Sequence, residues 1–323
     1  MRAVVAPETG GPEVLTLVDQ AAPEPGPGQI LVDVAAAGVN FIDIYHRSGL
    51  YQVQLPFPMG QEGAGVVAAA GDGVDGLAPG DRVAWTGVEG SYAEQAVIPA
   101  GRAVPVPDGV TTEDAAAVLL QGTTAQYLAT STYPIQPGDT AVVHAAAGGV
   151  GLLLTQYVKA LGGRVIGTVS TAEKERLARE AGADEIIRYT EADVTAEVRR
   201  LTGGAGVPVV YDSVGADTFE ASFASLRPRG MLVLFGQSSG PVPPMQPQRL
   251  IEGSFFLTRP TSRHYIATRE DLLARTGDVL RRVADGTLKV HIGGRYPLAE
   301  ARRAHEDLAA RRTTGKLLLE TRA

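Results

Sequence analysis

A glycine-rich turn at residues 145–151 places the strongest constraint on what this chain can fold into. The turn reads Ala-Ala-Ala-Gly-Gly-Val-Gly, follows an apolar strand-like run at 140–145 and opens an amphipathic helix at 150–161. Glycine lets the backbone approach a pyrophosphate closely, and the N-terminus of the next helix supplies N–H groups and a positive dipole end. The alternative is a tight turn without a ligand. Because the turn lies inside a strand–turn–helix unit, it predicts a dinucleotide site.

The segment around this turn alternates strands with helices at the spacing of βαβ units. The alternation predicts a doubly wound parallel sheet of about six strands, which is a Rossmann-type domain. The predicted strands are 140–145, 164–169, 185–189, 207–211, 231–235 and 254–258, and the predicted helices are 150–161, 170–181, 193–201 and 218–226.

The first 120 residues have a different pattern. β-branched runs at 14–18, 30–34 and 65–68 are bounded by turn residues, and residues 79–84 read as a turn into another strand. This pattern predicts a small, mostly antiparallel β domain that is partly barrel-like. The tail contains helical segments at 269–284 and 298–311 and a strand at 316–320, and it is too short for a core of its own. We therefore expect an α/β protein with domains at 1–122 and 123–261 and a return to the first domain at 262–323.

Composition excludes several classes of protein. The formal net charge is −7 and no basic run exceeds a pair, so we expect no nucleic-acid partner. The chain has no Cys, which removes disulfides, thiolate metal sites and thiol nucleophiles. Neither a signal peptide nor an apolar run of about 18 residues is present, so we expect a soluble, cytoplasmic protein with no membrane partner.

The end of the second strand indicates which dinucleotide binds. An NAD site requires a carboxylate there to bind the ribose 2′-hydroxyl. This chain instead has Ser170, which can donate to a 2′-phosphate, and Lys174, which can supply a positive charge. The alternative is that Ser170 and Glu173 form a helix capping box and that Lys174 is solvated, and both interpretations can hold together. The pattern favours NADP(H).

Several motifs together resemble the zinc-free quinone oxidoreductases, the zeta-crystallin type, of the medium-chain dehydrogenase/reductase superfamily. The resemblance implies a GroES-like β-rich catalytic domain, a Rossmann domain that binds NADPH in the interdomain cleft, and a homodimer joined edge to edge through the Rossmann sheets. The motifs that carry it are residues 38–43, 47–51, 60–67, 80–83, 145–151, 211–215, 236–240 and 258–260.

The resemblance also implies a set of cofactor-binding residues. Those near residue 40 would face the nicotinamide end, whereas Ser170, Lys174 and Tyr189 would face the 2′-phosphate. The implied set is Asn40, Phe41, Asp43, Tyr45, Tyr127, Gly148, Gly149, Val150, Ser170, Thr171, Lys174, Tyr189, Ser213, Val214, Gly236, Ser238, Ser239, Phe256, Leu257 and Lys316.

No metal is expected. Asn40 stands where the zinc-dependent relatives have their first thiolate, Gln61 stands where they have an imidazole, and the five His residues lack metal-ligand spacing. The candidate catalytic residues Asn40, Tyr45 and Tyr51 all fall in the loop predicted after Gly38. An Asn amide can orient a carboxamide or substrate, and a Tyr can donate a proton or simply stack against the cofactor.

These features predict an NADPH-dependent enzyme that reduces a quinone or another conjugated carbonyl compound. A quinone accepts hydride with little acid help, which suits a site without an obvious general acid. The first alternative is a reductase of the C=C bond of an enone, an enal or an enoyl thioester. The second is a non-catalytic NADPH-binding protein of a crystallin-like or RNA-binding kind, although the acidic net charge weakens the RNA version.

Overall fold

A computed structural model describes residues 1–321. These residues form two compact units. The first unit comprises Met1–Thr123 together with the residues from Ile266 onward, and the second comprises Thr124–Tyr265. The chain therefore leaves the first unit once and later re-enters it.

The first unit is rich in β-structure. Its strands are β1 (Arg2–Ala6), β2 (Thr16–Asp19), β3 (Gln29–Val39), β4 (Phe57–Pro58), β5 (Glu62–Ala70), β6 (Arg82–Thr86), β7 (Gln95–Pro99) and β8 (Val104–Pro105). Among these lie helix α1 (Phe41–Arg47) and, across the boundary of the unit, helix α2 (Thr112–Tyr127).

The second unit alternates strands and helices. Its strands are β9 (Thr140–Val143), β10 (Arg164–Val169), β11 (Glu185–Arg188), β12 (Val207–Asp212), β13 (Leu226–Leu234) and β14 (Phe256–Thr258). Its helices are α3 (Gly149–Ala160), α4 (Ala172–Glu180), α5 (Val194–Leu201), α6 (Phe219–Ala224) and α7 (Ser262–Tyr265). The chain then returns to the first unit with α8 (Arg269–Ala284), β15 (Ile292–Pro297), α9 (Ala301–Ala309) and β16 (Lys316–Glu320).

Strand β3 organises the larger sheet of the first unit. The strand order is β15-β16-β3-β5-β6-β8, and β7 also pairs with β3. Alternate residues of β3 (Ile30, Val32 and Val34) point into a core that contains Trp85, because successive strand residues face opposite sides of a sheet. A smaller sheet has the order β2-β1-β4.

The last strand completes this sheet. β16 pairs parallel with β15 and antiparallel with β3, and Leu317, Leu318 and Leu319 are buried. Since these three side chains lie in the core, the C-terminal segment is an integral part of the first unit. The same strand begins with Lys316, which is also buried.

The sheet of the second unit is parallel throughout, with the order β11-β10-β9-β12-β13-β14. The predicted doubly wound Rossmann sheet is therefore confirmed. The order reverses between β9 and β12, and in such sheets ligands bind at the carboxyl ends of the strands near this switch point. The glycine-rich turn follows β9, so it lies at the switch point.

The sequence prediction was wrong after Gly38, where the structure has a helix rather than a loop. Helix α1 is short, and its start is stabilised because the Asp43 carboxylate accepts a hydrogen bond from the Asn40 N–H (2.8 Å). Tyr45 consequently lies on a helix, whereas Tyr51 lies in the loop that follows.

Several other elements escaped prediction or differ in extent. Helix α2 was missed because its middle is apolar and buried, so no amphipathic pattern marks it. The strand predicted at 14–18 begins only at Thr16, since Pro12–Val14 forms a 3₁₀ turn. The strand predicted at 231–235 is part of the longer β13, and the strand predicted at 254–258 begins at Phe256.

None of the helices among residues 1–321 is long and apolar enough to cross a membrane.

We predict that Leu318→Ala strongly destabilises the protein. Leu318 is fully buried in β16, and removal of a buried Leu side chain costs about 2–5 kcal/mol of unfolding free energy. The thermal midpoint of the purified variant measures the loss. Leu273→Ala, at a half-exposed position of α8, is the matched control and should change the midpoint little. Equal midpoints for the two variants would contradict the assigned place of β16 in the core.

Candidate active site

The carboxyl edge of the parallel sheet gathers most of the cofactor-binding residues that the resemblance implies. Five strands are each followed, in the next loop or the start of the next helix, by residues of the set. Gly148, Gly149 and Val150 follow β9, Ser170, Thr171 and Lys174 follow β10, Tyr189 follows β11, Ser213 and Val214 follow β12, and Gly236, Ser238 and Ser239 follow β13. The structure therefore brings these residues to one edge of the second unit.

The turn after β9 has the compact geometry that a pyrophosphate site requires. Gly148 is the N-cap of α3, and Ala145 has a φ of 50°, which places it in the left-handed region. A Cβ on Gly151 would lie 2.8 Å from Ala146 Cα and would also overlap Ala145 O. Glycine at this position lets α3 pack directly on the turn, so the first N–H groups of α3 face the carboxyl edge.

The loops after β12 and β13 form a second wall of this edge. Asp212 Oδ1 accepts hydrogen bonds from the N–H groups of Val214 (2.8 Å) and Gly215 (3.1 Å). The Ser239 N–H in turn donates to Val214 O (2.8 Å), and a Cβ on Gly236 would lie 2.9 Å from Ser213 Cα. Asp212 is thus a turn residue, and the two loops hold each other in place.

A buried network that sequence reasoning missed joins this wall to the glycine-rich turn. Ser222 Oγ donates to Asp212 Oδ2 (2.7 Å) and lies 3.0 Å from His144 Nε2, while His144 Nδ1 lies 3.0 Å from Thr168 Oγ1. Because the Ser222 proton goes to Asp212, Nε2 of His144 donates and Nδ1 accepts. Burial lowers the pKa of His144, which keeps the ring neutral.

The positions of His144 and Asp212 were the signal that could have revealed this network. Each residue comes at the end of a central strand, directly before a loop of the carboxyl edge. All four side chains of the network are buried, so the Ser222 hydroxyl is a structural hydrogen-bonding group.

The end of β10 presents a hydroxyl and a lysine as expected, but the helix cap differs from the prediction. The N-cap of α4 is Thr171, whose hydroxyl accepts from the Lys174 N–H (3.2 Å), so the alternative interpretation of Ser170 and Glu173 as a capping box is wrong. The reason is that α4 begins one residue later than that box requires. The Ser170 hydroxyl has no hydrogen-bond partner within residues 1–321 and remains available to a ligand.

Three residues of the implied set within the second unit lie away from the carboxyl ends of its strands. Tyr127 is buried at the end of α2 and stacks on Tyr265 with ring centroids 4.1 Å apart. Phe256 and Leu257 lie within the edge strand β14, where their side chains are 56% and 37% exposed. The structure therefore does not bring Phe256 and Leu257 to the carboxyl edge.

In the first unit, helix α1 and the loop after it carry a cluster of aromatic side chains. Tyr45 lies 6.2 Å from Phe41 and 5.5 Å from Tyr51 between ring centroids. Tyr45 is buried, whereas Tyr51 is 37% exposed. His46 is also part of the cluster, 6.1 Å from Tyr51, and burial lowers its pKa.

Asn40, at the start of α1, is held by three side chains from elsewhere in the first unit. Its Oδ1 accepts from Lys316 Nζ (2.7 Å) and Gln121 Nε2 (3.3 Å), and its Nδ2 donates to Glu62 Oε2 (2.8 Å). Lys316 and Glu62 also form a fully buried ion pair with each other. Lys316, which the resemblance assigns to the cofactor, thus uses two of its three N–H groups within the protein, and Glu62 was missed by sequence reasoning.

Asp43 lies beside this cluster in a fully buried environment. Burial raises its pKa to about 7, although hydrogen bonds from the Asn40 N–H and the Tyr92 hydroxyl (2.9 Å) and the charge of Lys316 act in the opposite direction. Its Oδ1 has no partner among the described residues. The Tyr92 hydroxyl also lies 3.2 Å from His305 Nε2, and burial lowers the pKa of His305 to about 3.

The side chains around Asn40 do not fit zinc. The amides of Asn40 and Gln61 are weak ligands, and the Lys316 ammonium next to Asn40 Oδ1 repels a divalent cation. Residues 1–321 contain no group of three or more His, Asp or Glu side chains placed to hold a metal ion. The positive charge beside Asn40 Oδ1 is that of the Lys316 ammonium group.

Comparison with known proteins agrees with this geometry. The family model described as alcohol dehydrogenase GroES-like domain matches residues 26–108, and the one described as zinc-binding dehydrogenase matches residues 149–272. A quinone oxidoreductase of Pseudomonas aeruginosa is 49% identical over 96% of each chain. The crystal structure of Escherichia coli quinone oxidoreductase complexed with NADPH superposes with a TM-score of 0.97 at 43% identity, covering 99% of this chain and 100% of that chain.

Another similar protein is named for a different activity. A 2-haloacrylate reductase of a Burkholderia species is 38% identical over 98% of each chain.

A GroES-like domain followed by a Rossmann domain defines the medium-chain dehydrogenase/reductase superfamily, and the chain has this arrangement. Within the superfamily, the chain belongs to the quinone oxidoreductase family.

We predict that Asp43 makes stability fall as pH rises from 5 to 7. Its pKa is 3.8 in the unfolded chain and about 7 in the fold, so the native state holds a proton that the unfolded chain releases. The contribution is fully present below the unfolded value and lost as pH rises through the folded value, at about 1.4 kcal/mol per pH unit between them. Urea unfolding of the protein and of Asp43→Asn at pH 5, 6 and 7 measures it.

The expected result is that the wild-type free energy of unfolding falls relative to that of Asp43→Asn by about 2 kcal/mol over this range. Glu8→Gln, at an exposed position, is the control and should leave the wild-type pH dependence unchanged. A difference between the wild type and Asp43→Asn that does not vary with pH would contradict the prediction.

Proposed function

We propose that the protein is an NADPH-dependent quinone reductase that works without a metal. One observation carries the cofactor assignment. The glycine-rich turn at the switch point of a parallel sheet is followed, at the end of β10, by Ser170 and Lys174 in place of a carboxylate. Membership of the quinone oxidoreductase family, with its solved NADPH complex, supports both the cofactor and the acceptor.

The carboxyl edge of the second unit fits NADPH group by group. The first N–H groups of α3 and the absence of a side chain at Gly151 suit the pyrophosphate. The Ser170 hydroxyl and the Lys174 ammonium suit the 2′-phosphate, with Tyr189 after the next strand. The loops that contain Val214 and Ser238 suit the remaining part of the dinucleotide. When bound, NADPH supplies the hydride.

The first unit supplies the groups that position the acceptor and the proton. The reduced quinone oxygen becomes negative, and the hydroxyls of Tyr45 and Tyr51 in the aromatic cluster are our candidates to stabilise or protonate it. Asn40 is less suited to contact the acceptor, because four hydrogen bonds within the protein already occupy its side chain. We propose that it acts by holding α1. Since a hydroquinone anion is stable by itself, the demand for a strong acid is small.

A specific observation supports one alternative. The 38% identical relative is a 2-haloacrylate reductase, so a C=C bond next to a carboxylate is accepted within the same architecture. Arg259 and Arg263, near the end of the second unit, are cations that such a carboxylate would require. Arg259, however, donates to the carbonyls of Leu234 and Gly236 (both 3.1 Å), which favours a structural role for it.

The deciding experiment measures steady-state oxidation of NADPH and NADH with ortho- and para-quinones, enones and 2-haloacrylate as acceptors, using metal-stripped protein. Quinone turnover with a strong preference for NADPH is the expected result. Turnover of the enones or 2-haloacrylate alone would reassign the protein as a C=C reductase. Tight NADPH binding without turnover of any acceptor would reassign it as a binding protein.

We further propose a cytoplasmic homodimer joined through β14. This strand is the edge of the parallel sheet, and it exposes Phe256 and Leu257 next to unpaired backbone groups. Natural proteins cover such an edge, and a second copy of the same strand is the partner that the family resemblance implies.

The net charge of −7 disfavours a nucleic-acid partner. A cytoplasmic location matches the compartment in which NADPH is regenerated.

We predict that Lys174→Ala raises the KM for NADPH about 10- to 100-fold, since a hydrogen bond to a charged group contributes about 1.5–3 kcal/mol. The KM for NADH and the kcat should change little, because only NADPH carries the 2′-phosphate. Lys289→Ala, at an exposed position of the first unit, is the matched control. Equal effects on the two cofactors would show that Lys174 does not contact the 2′-phosphate.

We predict that Phe256→Asp converts dimers to monomers, because it places a charge in the edge of the sheet that the second copy would cover. Sedimentation velocity at several protein concentrations measures the change. Leu17→Asp, which adds the same charge to an exposed position of β2, should leave the dimer intact. A wild-type protein that is monomeric at every concentration would refute the proposed dimer.

A further inference from the structure

Four separate segments of the first unit meet at the side chain of Asn40. Asn40 itself follows β3, Glu62 begins β5, Gln121 lies in α2, and Lys316 begins β16. Asn40 is 3% exposed, Lys316 1% and Glu62 0%. The charges of Glu62 and Lys316 are therefore removed from water and depend on each other.

The carboxamide of Asn40 has no hydrogen-bonding capacity left. Nδ2 donates both of its hydrogens, to Gly38 O (3.2 Å) and Glu62 Oε2 (2.8 Å), and Oδ1 accepts from Lys316 and Gln121. The partners also specify its direction, because an anion faces the NH₂ group and a cation faces the oxygen. Rotation of the amide by 180° would place each partner against a group of its own kind.

Glu62 is itself held by the backbone. Its Oε1 accepts from the Leu120 N–H (2.7 Å), which leaves Oε2 for Asn40 and Lys316. Gly38 provides the space for this arrangement, since a Cβ there would lie 2.8 Å from Lys316 Nζ and would also overlap Glu62 Oε2. The pair is thus enclosed on the side of β3 as well.

We propose that Glu62 and Lys316 form a neutral positioning pair that fixes the Asn40 carboxamide, and through Asn40 the start of helix α1, in one orientation. Asn40 N–H donates to Asp43 Oδ2 in the first turn of α1, so a shift of Asn40 reaches the helix directly. The catalytic importance of this positioning rests on the proposed function, because α1 carries Phe41 and Tyr45. Its structural consequence, the ordering of α1, does not.

A buried ion pair serves positioning better than stability. The desolvation of two charges roughly cancels their attraction, so replacing both with neutral groups of similar size often leaves stability unchanged or higher. Removing only one charge leaves the other buried without a partner and is strongly destabilising. Stability and positioning therefore respond differently to single and double substitution, and this difference provides the test.

The test compares Glu62→Gln, Lys316→Met and the double variant Glu62→Gln/Lys316→Met. Thermal midpoints report stability, and kcat and KM for NADPH with a quinone report catalysis. Hydrogen exchange of the α1 amides, followed by mass spectrometry, reports the order of the helix without reference to activity. The control is Lys159→Met/Asp184→Asn, which neutralises a partly exposed Lys–Asp pair of the second unit (2.7 Å).

We expect both single variants to lose thermal stability. We expect the double variant to regain the thermal midpoint, while its kcat stays about 10- to 100-fold below that of the wild type and its α1 amides exchange faster. The KM for NADPH should change less than kcat, because the carboxyl edge of the second unit is untouched. The control variant should retain the wild-type kcat and α1 exchange.

Recovery of both kcat and α1 protection in the double variant would overturn the proposal, since the pair would then be only a structural element. Single variants with wild-type kcat and wild-type exchange would overturn it as well. If the wild type reduces no quinone, the proposed function fails instead. In that case the exchange of the α1 amides still decides whether the pair positions the helix.

Discussion

The buried ion pair between Lys316 and Glu62 is the interaction on which the surroundings of Asn40 in the first unit depend. It joins the last strand of the chain to a strand that begins 254 residues earlier, and both charges are enclosed by protein. Neither charge is tolerable alone in such surroundings, so the two segments must come together in one register. Asn40 lies between them and passes this constraint to helix α1.

The second unit also contains a network of buried, mutually satisfied polar side chains. The glycine-rich turn and the loop after β12 consist mainly of glycine and small residues. Each of the two segments begins at a buried polar side chain, His144 or Asp212. His144 and Asp212 reach each other through Ser222, and every proton in that network has one direction. Because an unsatisfied polar group in the core is costly, the network restrains the loops that begin at His144 and Asp212. Each unit thus has satisfied buried polar groups next to the residues that the proposed function uses.

The sequence was sufficient for features that depend on local pattern. β10, α8 and β16 have the predicted limits, because each combines a clear hydrophobic period with Gly, Pro or polar boundaries. α1 was missed since its seven residues show no apolar stripe and its start depends on a single carboxylate. The alternative that made Ser170 the cap of α4 was one position too early, because Ser170 and Thr171 both have a side-chain hydroxyl. The contact between Glu62 and Lys316 could not be predicted from a single sequence, because no local pattern links residues so far apart.

Cofactor choice and acceptor choice depend on different parts of the chain. Cofactor choice follows from short-range features at the end of β10, and a sequence alone displays them. Under the proposed function, acceptor choice instead rests with Tyr45, Tyr51 and their neighbours, which α1 and the loop after it carry. A relative that reduces 2-haloacrylate shares the fold over nearly its whole length, so the two activities need differ only in such details. We therefore expect the residues of α1 and of the loop after it to be the positions at which quinone reductases and 2-haloacrylate reductases of this architecture differ.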